Sequence, residues 1–290
     1  MNQLIRLDSL PKISAIYYAL LSNGYGEFAV RDDPELMETL EAFQSLSRLG
    51  QNRFFEQARQ SGCAAYPYWP RAALLESASF SIDLRRRTYT DFARFQGSVL
   101  AASNITDADR DERFWNWIRG FPRALASVFA DEGFRKFRDW EDDWLSRQSI
   151  RYEKEIVTCA RIVQYYRGRA ELPLQRVRVI LSPIKSRYAA DAHREGDRWF
   201  FVSGAFHPES VVHEFLHPVL HPLVERHGRA IDRHGLSGLP IDGSYYLEGD
   251  DRGRRNAFEE YAVRTLTAAA LRGEPPEAEE FLLAALEKLR

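Results

Sequence analysis

The strongest chemical signal in the sequence is an HExxH motif at residues 213–217. His213 and His217 are four residues apart, so on a helix both imidazoles lie on one face and can bind one metal ion. Glu214 lies about 100° around the helix from His213, where it can reach water beside that metal. Zinc binds neutral imidazole and activates water, and a neighbouring carboxylate can take a proton from that water. The motif therefore predicts a zinc site with His213 and His217 as ligands and Glu214 as the general base.

The distribution of the histidines also places the functional site in this part of the sequence. None occurs before residue 193, and all seven lie within one segment: His193, His207, His213, His217, His221, His227 and His234. Scattered core histidines would not cluster in this way. The remaining ligands are therefore expected in the second half of the chain.

The motif is expected to lie on a helix that begins at Pro208, with Glu209 in its first turn. Pro218 and Pro222 have no backbone N–H to continue the helical hydrogen bonds. We therefore expect this helix to kink or end near them, with a polar loop between residues 227 and 256.

A third ligand is expected on a later helix, at about residues 256–272. Glu259 and Glu260 are the best candidates. The helical wheel places Glu259 at the edge of the apolar stripe and Glu260 further out. Glu260 stands four residues before Arg264, which would share its face and could stabilise an oxyanion. The spacing alone leaves both glutamates open.

Other ligand arrangements compete with this one. A metzincin site needs Gly and His three and six residues after the motif, where this chain has Leu220 and Leu223, so that class is excluded. His221 lies a full turn beyond the motif, and Asp232 would give an aspartate-type site. Either could also close the metal site in a purely structural zinc protein.

Four stretches together resemble a known bacterial group: VRVILSPI, RWFFVSG, VVHEFLHPVLHPLVE and FEEYAVRT. They are similar to the uncharacterised HExxH family called domain of unknown function 4932, over about residues 174–270. The resemblance implies a gluzincin-like metallopeptidase in which His213, His217 and Glu260 bind zinc, Glu214 is the base and Arg264 is the distal arginine. The chain departs from the family pattern at Glu259, where Asn is usual, and by having a proline directly after the second motif histidine.

The oxyanion donor has several candidates. Arg264 is one, and Tyr245 and Tyr246 are others, because each could donate to a tetrahedral intermediate. Spacing does not choose among them.

The periodicity predicts an α+β fold. Residues 1–172 are expected to form a mainly helical region packed on a small zincin-like unit at residues 173–290. Two strands are expected in that unit, at about 177–181 and 198–203, with a loop between them to about residue 196. We expect residues 198–203 to form an exposed sheet edge to which an extended peptide could add. The alternative is a buried central strand, favoured by Trp199, Phe200 and Phe201.

The composition narrows the class of function. The chain has 290 residues, a net charge of -2 and a hydrophobic fraction of 44%, so nucleic acid is excluded as the main partner. Cys63 and Cys159 cannot form a disulfide framework, which indicates a reducing compartment. No apolar run is long enough for a membrane span, and the stretch 13–21 lacks a signal cleavage site.

We expect a cytoplasmic zinc peptidase acting on peptide or unfolded polypeptide. The rivals are a structural zinc protein and a helical interaction module with an incidental motif.

Overall fold

The computed structural model describes residues 4–25, 33–60, 70–100, 111–169, 176–187, 190–195, 198–234, 236 and 251–288. It confirms the α+β class: the chain is mostly helical and carries a small mixed sheet. The four strands of this sheet, in spatial order, are β1 (Ile5–Asp8), β4 (Arg176–Leu181), β6 (Arg198–Ser203) and β5 (Ala190–Glu195). β1, β4 and β6 are parallel, and β5 runs antiparallel to β6. A separate two-stranded ribbon joins β2 (Ile82–Asp83) to β3 (Thr88–Tyr89).

Helices make up most of the rest. The described helices before β4 are α1 (Pro11–Leu20), α2 (Pro34–Gln44), α3 (Arg53–Gln60), α4 (Pro70–Phe80), α5 (Phe92–Leu100), α6 (Glu112–Arg119), α7 (Phe121–Val128), α8 (Glu132–Arg151) and α9 (Glu153–Arg169). Those after β6 are α10 (Pro208–His234), α11 (Asp251–Arg272) and α12 (Ala278–Glu287). Within the described ranges, no helix is both long and apolar enough to cross a membrane.

Local sequence signals fix several helix starts. The side chains of Asp33, Asp111 and Asp131 accept hydrogen bonds from backbone N–H groups in the first turns of α2, α6 and α8. A side chain at this position satisfies a donor that the helix itself leaves unpaired. Proline stands in the first turn of α1, α2 and α7, where its missing N–H costs nothing.

The sheet lies between two hydrophobic cores. Phe200 and Val202 of β6 face the core formed with the first eight helices. Trp199 and Phe201 face the other core, which contains α9, α10, α11 and α12. A strand covered on both faces has apolar side chains at nearly every position, as β6 does.

The two cores do not follow the sequence boundary between residues 172 and 173. β1 belongs to the first segment, yet it pairs with β4 at the edge of the sheet. The last helix of that segment, α9, packs in the same core as α10. The N-terminal segment therefore contributes directly to the sheet beside the predicted site.

Two expectations for this region were wrong. Residues 198–203 form a central strand, paired with β4 on one side and β5 on the other, instead of a sheet edge. The two-sided apolar pattern of β6 is the physical reason. The stretch from residue 190 to 195, expected as a loop, is the edge strand β5. Its sequence ADAHRE lacks the β-branched residues that signal a strand.

The helix that carries the motif also differs from expectation. α10 continues through Pro218 and Pro222 and ends at His234. Each proline removes one backbone hydrogen bond, but the surrounding side chains Val219, Leu220 and Val224 are buried. Burial of this apolar face against the sheet and α11 outweighs those losses, so the helix is not interrupted.

Candidate metal centre

The buried apolar face of α10 fixes the direction in which the motif histidines point. Val212, Phe215 and Leu216 of α10 are buried in the second core, where Phe215 makes an edge contact with Trp199 of β6. Residues three and four apart share a helix face, so burying this stripe turns His213 and His217 away from the sheet. α11 packs along α10 and brings its own polar face to the same place.

Three donor atoms from the two helices come together there. His217 Nε2 lies 3.2 Å from His213 Nε2, and Glu260 Oε2 lies 3.5 Å from each of these nitrogens. Donors held about 2.0–2.1 Å from a tetrahedral zinc ion are separated by about 3.3–3.4 Å. The triangle of His213, His217 and Glu260, which we call the metal cluster, has the size of one face of such a tetrahedron. These three residues could hold a metal ion.

Glu259 supports this cluster from outside. Its Oε1 lies 2.9 Å from Nδ1 of His217, and its Oε2 lies 2.8 Å from Nδ1 of His221. A carboxylate only accepts hydrogen bonds, so it keeps a proton of His217 on Nδ1, and Nε2 is the nitrogen that faces the cluster. Of the two glutamates left open by the sequence, Glu260 contributes to the triangle and Glu259 orients a histidine.

Arg264 contacts the third member of the cluster. Its Nε donates to Glu260 Oε1 at 2.5 Å, while the other oxygen of Glu260 faces the histidines. Burial alone would raise the pKa of Glu260, but hydrogen bonds to His213 and His217 hold it well below the usual value. This contact orients the carboxylate of Glu260. Its role as an oxyanion donor remains a prediction.

The remaining motif residues have perturbed acidities. Burial raises the pKa of Glu214, although the positive charges of His217 and His213 oppose this effect. The carboxylate of Asp191 on β5 adds to the increase, and β5 contacts α10, the helix that carries Glu214. Burial would lower the pKa of His217, but hydrogen bonds to Glu259 and Glu260 raise it to about 10. At this pKa both ring nitrogens of His217 carry a proton at neutral pH. A bound zinc ion would have to displace the proton on Nε2, because zinc binds neutral imidazole.

The alternative ligands have other partners. His221 is bonded to Glu259 through Nδ1. Both carboxylate oxygens of Asp232 accept from Arg255, at 3.1 and 2.6 Å. Neither residue belongs to the metal cluster. Tyr245 and Tyr246, the other oxyanion candidates, lie outside the described residues, as does Cys63, whereas Cys159 is buried.

Sequence reasoning misses one further polar group beside this site. Tyr17, Glu76, Lys185, Asp191 and His193, which we call the buried ion cluster, meet between α1, α4 and the inner face of β5. Of these residues, the sequence singles out His193 alone, as the first of the clustered histidines. It lies in this cluster and not at the metal cluster.

Comparisons with protein-family models, curated proteins and solved structures found no match to this chain. A function for this chain must therefore be argued from the geometry of its own residues.

Proposed function

We propose that this protein is a zinc-dependent peptidase in which His213, His217 and Glu260 hold the metal. One observation carries the proposal: the spacing of these three donors matches a face of a zinc tetrahedron. A partly buried carboxylate, Glu214, follows the first ligand directly in the sequence. Among the described residues, no other His, Cys, Asp or Glu joins the group. In the proposed site, water occupies the fourth position, as a catalytic zinc site requires.

The chain's own residues then have defined tasks. Zinc held by these three residues would lower the pKa of water at the site and polarise a substrate carbonyl. Glu214 takes a proton from the attacking water and passes it to the nitrogen that leaves as the peptide bond breaks. Its raised pKa favours the first step, because a carboxylate that holds a proton more firmly is the better base. Glu259 and Arg264 keep His217 and Glu260 oriented.

The sheet supports an extended polypeptide as the substrate. β5 ends the sheet, and its outer side has no strand partner among the described residues. It also contacts α10, the helix that carries the motif. An extended peptide can add to such an edge through backbone hydrogen bonds, which favours unfolded chains over folded proteins. In this proposal β5 is the edge strand that binds the peptide, the role that the sequence led us to expect of residues 198–203.

The test compares the wild-type protein with Glu214→Gln, because the amide cannot accept the proton. Glu209→Gln is the matched control, since Glu209 is an exposed glutamate on the same helix. We expect about one zinc per chain in all three proteins by mass spectrometry of the native state. Hydrolysis of an unfolded polypeptide should fall by about 10²–10⁴-fold in Glu214→Gln alone.

Two results would contradict the proposal. Full hydrolysis by Glu214→Gln would remove Glu214 from the mechanism. Zinc in all three proteins, with no hydrolysis by the wild type and no binding of a hydroxamate, would favour the structural zinc protein instead.

A further inference from the structure

The buried ion cluster contains two of the least exposed charged side chains in the described part of the molecule. Glu76 of α4 is 0% exposed and Lys185, in the turn after β4, is 2% exposed. Taking such charges out of water costs several kcal/mol per ion, and well-packed apolar residues often stabilise a fold as well or better. A cluster of this kind is therefore weak evidence for stability and needs another explanation.

The contacts of the cluster converge on β5. Lys185 Nζ lies 2.9 Å from Glu76 Oε1 and 2.7 Å from the Tyr17 hydroxyl, and it also donates to Asp191. His193 Nε2 lies 2.6 Å from Glu76 Oε2. Asp191 and His193 are two residues apart on β5, so they share one face of the strand. Both side chains on that face are tied to the N-terminal helices, directly or through the lysine.

Lys185 is itself held in a tight position. Its turn packs so closely on the end of β6 that a Cβ at Gly204 would lie 2.0 Å from the carbonyl oxygen of Lys185. The next backbone N–H, that of Ser186, donates to the Tyr25 hydroxyl at 3.3 Å. The backbone at Lys185 is thus held by the end of β6 and by Tyr25, and its side chain extends from this fixed position to Glu76. Charge-assisted hydrogen bonds require a defined geometry between donor and acceptor, whereas apolar contacts tolerate shifts of the packed side chains.

We propose that the buried ion cluster positions β5, so that the N-terminal helices set the place of this edge strand beside the metal cluster. Glu76, Lys185 and Tyr17 act through Asp191 and His193 and are positioning residues. The inference rests on the proposed function and extends it, because β5 is the edge on which we place the substrate. It makes the N-terminal helices part of the hydrolytic unit, and not a separable module.

The experiment uses full-length, zinc-loaded protein and the variants Glu76→Gln and His193→Gln. The matched control is Glu141→Gln, because Glu141 is also 0% exposed and bonded within the N-terminal helices, but lies outside the cluster. Hydrogen exchange followed by mass spectrometry reports on residues 190–195 and, as an internal reference, residues 176–181. In parallel, KM and kcat are measured with an unfolded polypeptide.

In both cluster variants we expect exchange at residues 190–195 to rise by about tenfold, with the reference strand nearly unchanged. KM should rise by about tenfold at similar kcat, and zinc content should stay the same, because ground-state positioning is lost and the metal ligands are not. Glu141→Gln should show none of these changes. If one cluster variant is too unstable to study, the other carries the test.

Exchange in β5 that matches the Glu141→Gln control would overturn the inference, whether or not the wild type hydrolyses anything. Faster exchange with an unchanged KM would support the positioning of β5 and contradict the docking of substrate on it. The exchange measurement thus separates a failure of this inference from a failure of the proposed function.

Discussion

The metal cluster and the buried ion cluster use similar residues in different ways. Each brings carboxylates and imidazole together from elements distant in sequence. In the buried ion cluster, the ammonium of Lys185 lies among the oxygens of Glu76 and Asp191 and supplies the positive charge. In the metal cluster, Arg264 donates to the oxygen of Glu260 that does not face the histidines. Where the chain supplies its own cation, carboxylates build structure. Where the carboxylate and imidazole donors stay partly exposed and converge on one point, they could hold a metal ion.

Exposure follows the same division. The side chain of His217 is 32% exposed and that of Glu260 is 19% exposed, so a metal and a substrate can reach them. The side chains of Glu76 and Lys185 are 0% and 1% exposed. Variants in the first cluster should therefore change metal binding with little effect on folding. Variants in the second should change folding with little effect on metal binding.

The largest effect should come from His217→Ala. Structural and catalytic zinc sites lose most of their binding energy with a protein ligand, so bound zinc should fall from about one per chain to nearly none. Elemental analysis after dialysis measures the metal, and circular dichroism checks that the helices remain. His207→Ala, an exposed histidine outside the cluster, should retain the metal. Equal zinc in both variants would eliminate the metal cluster as the site.

Lys185→Met should show the opposite behaviour. Removing the lysine leaves the fully buried Glu76 without this cation, so the free energy of unfolding should fall by about 3–5 kcal/mol. Denaturant unfolding measures this loss. Lys136→Met is the control, because the ion pair of Lys136 with Glu132 is more than half exposed and should contribute less than about 1 kcal/mol. Similar losses in both lysine variants would show that burial of the cluster is energetically unimportant.

Glu259→Ala should weaken zinc binding without abolishing it. It removes the acceptor that orients His217 but leaves all three donors, so zinc affinity should fall by about 10–100-fold. Competition with a chromophoric chelator measures the affinity. Glu259→Gln, which keeps an oxygen acceptor, should lose less. A wild-type affinity in Glu259→Ala would show that His217 needs no support from α11.

The smallest effect concerns Glu141, a buried carboxylate whose cation only partly compensates its burial. Burial raises its pKa to about 7, although Arg138 and Ser14 oppose the increase. The folded protein therefore binds a proton that the unfolded chain releases between about pH 4.5 and 7. Stability should fall across this window as pH rises, by up to about 1 kcal/mol per pH unit. Glu141→Gln should flatten that slope in urea unfolding at about pH 5, 6 and 7. Parallel curves for the variant and wild type would contradict it.

Much of the metal cluster is accessible from the sequence because its signal is local. The spacing of His213 and His217 predicts a shared helix face without knowledge of the fold. Glu259 and Glu260 cannot be separated in this way, because the helical wheel places Glu259 at the edge of the apolar stripe and Glu260 further out without showing which one faces the histidines. Their tertiary contacts distinguish them: one oxygen of Glu260 faces both histidines, whereas Glu259 bonds to Nδ1 atoms.

Strand order and the buried ion cluster are not accessible from the sequence, for different reasons. Period and composition indicate a strand but not its neighbours, which is why β6 is expected at the edge and β5 is not expected at all. Glu76 and Lys185 are far apart in the sequence, and charged residues are by default assigned to the surface. The hint that the sequence does contain is His193, which stands twenty residues before His213 in a stretch without metal-ligand spacing.

The pairing of β1 with β4 has a consequence for how the protein is made. Ile5 pairs with Val177, so the ribosome adds roughly 170 residues between the two partners of one ladder. Most of the N-terminal helices are synthesised before β4 exists and can form early from local contacts. The pairing of β1 must await this distant partner, so the sheet is completed only after β4 is made. Refolding should therefore be slower than for a helical protein of equal length, because non-local contacts dominate the last steps.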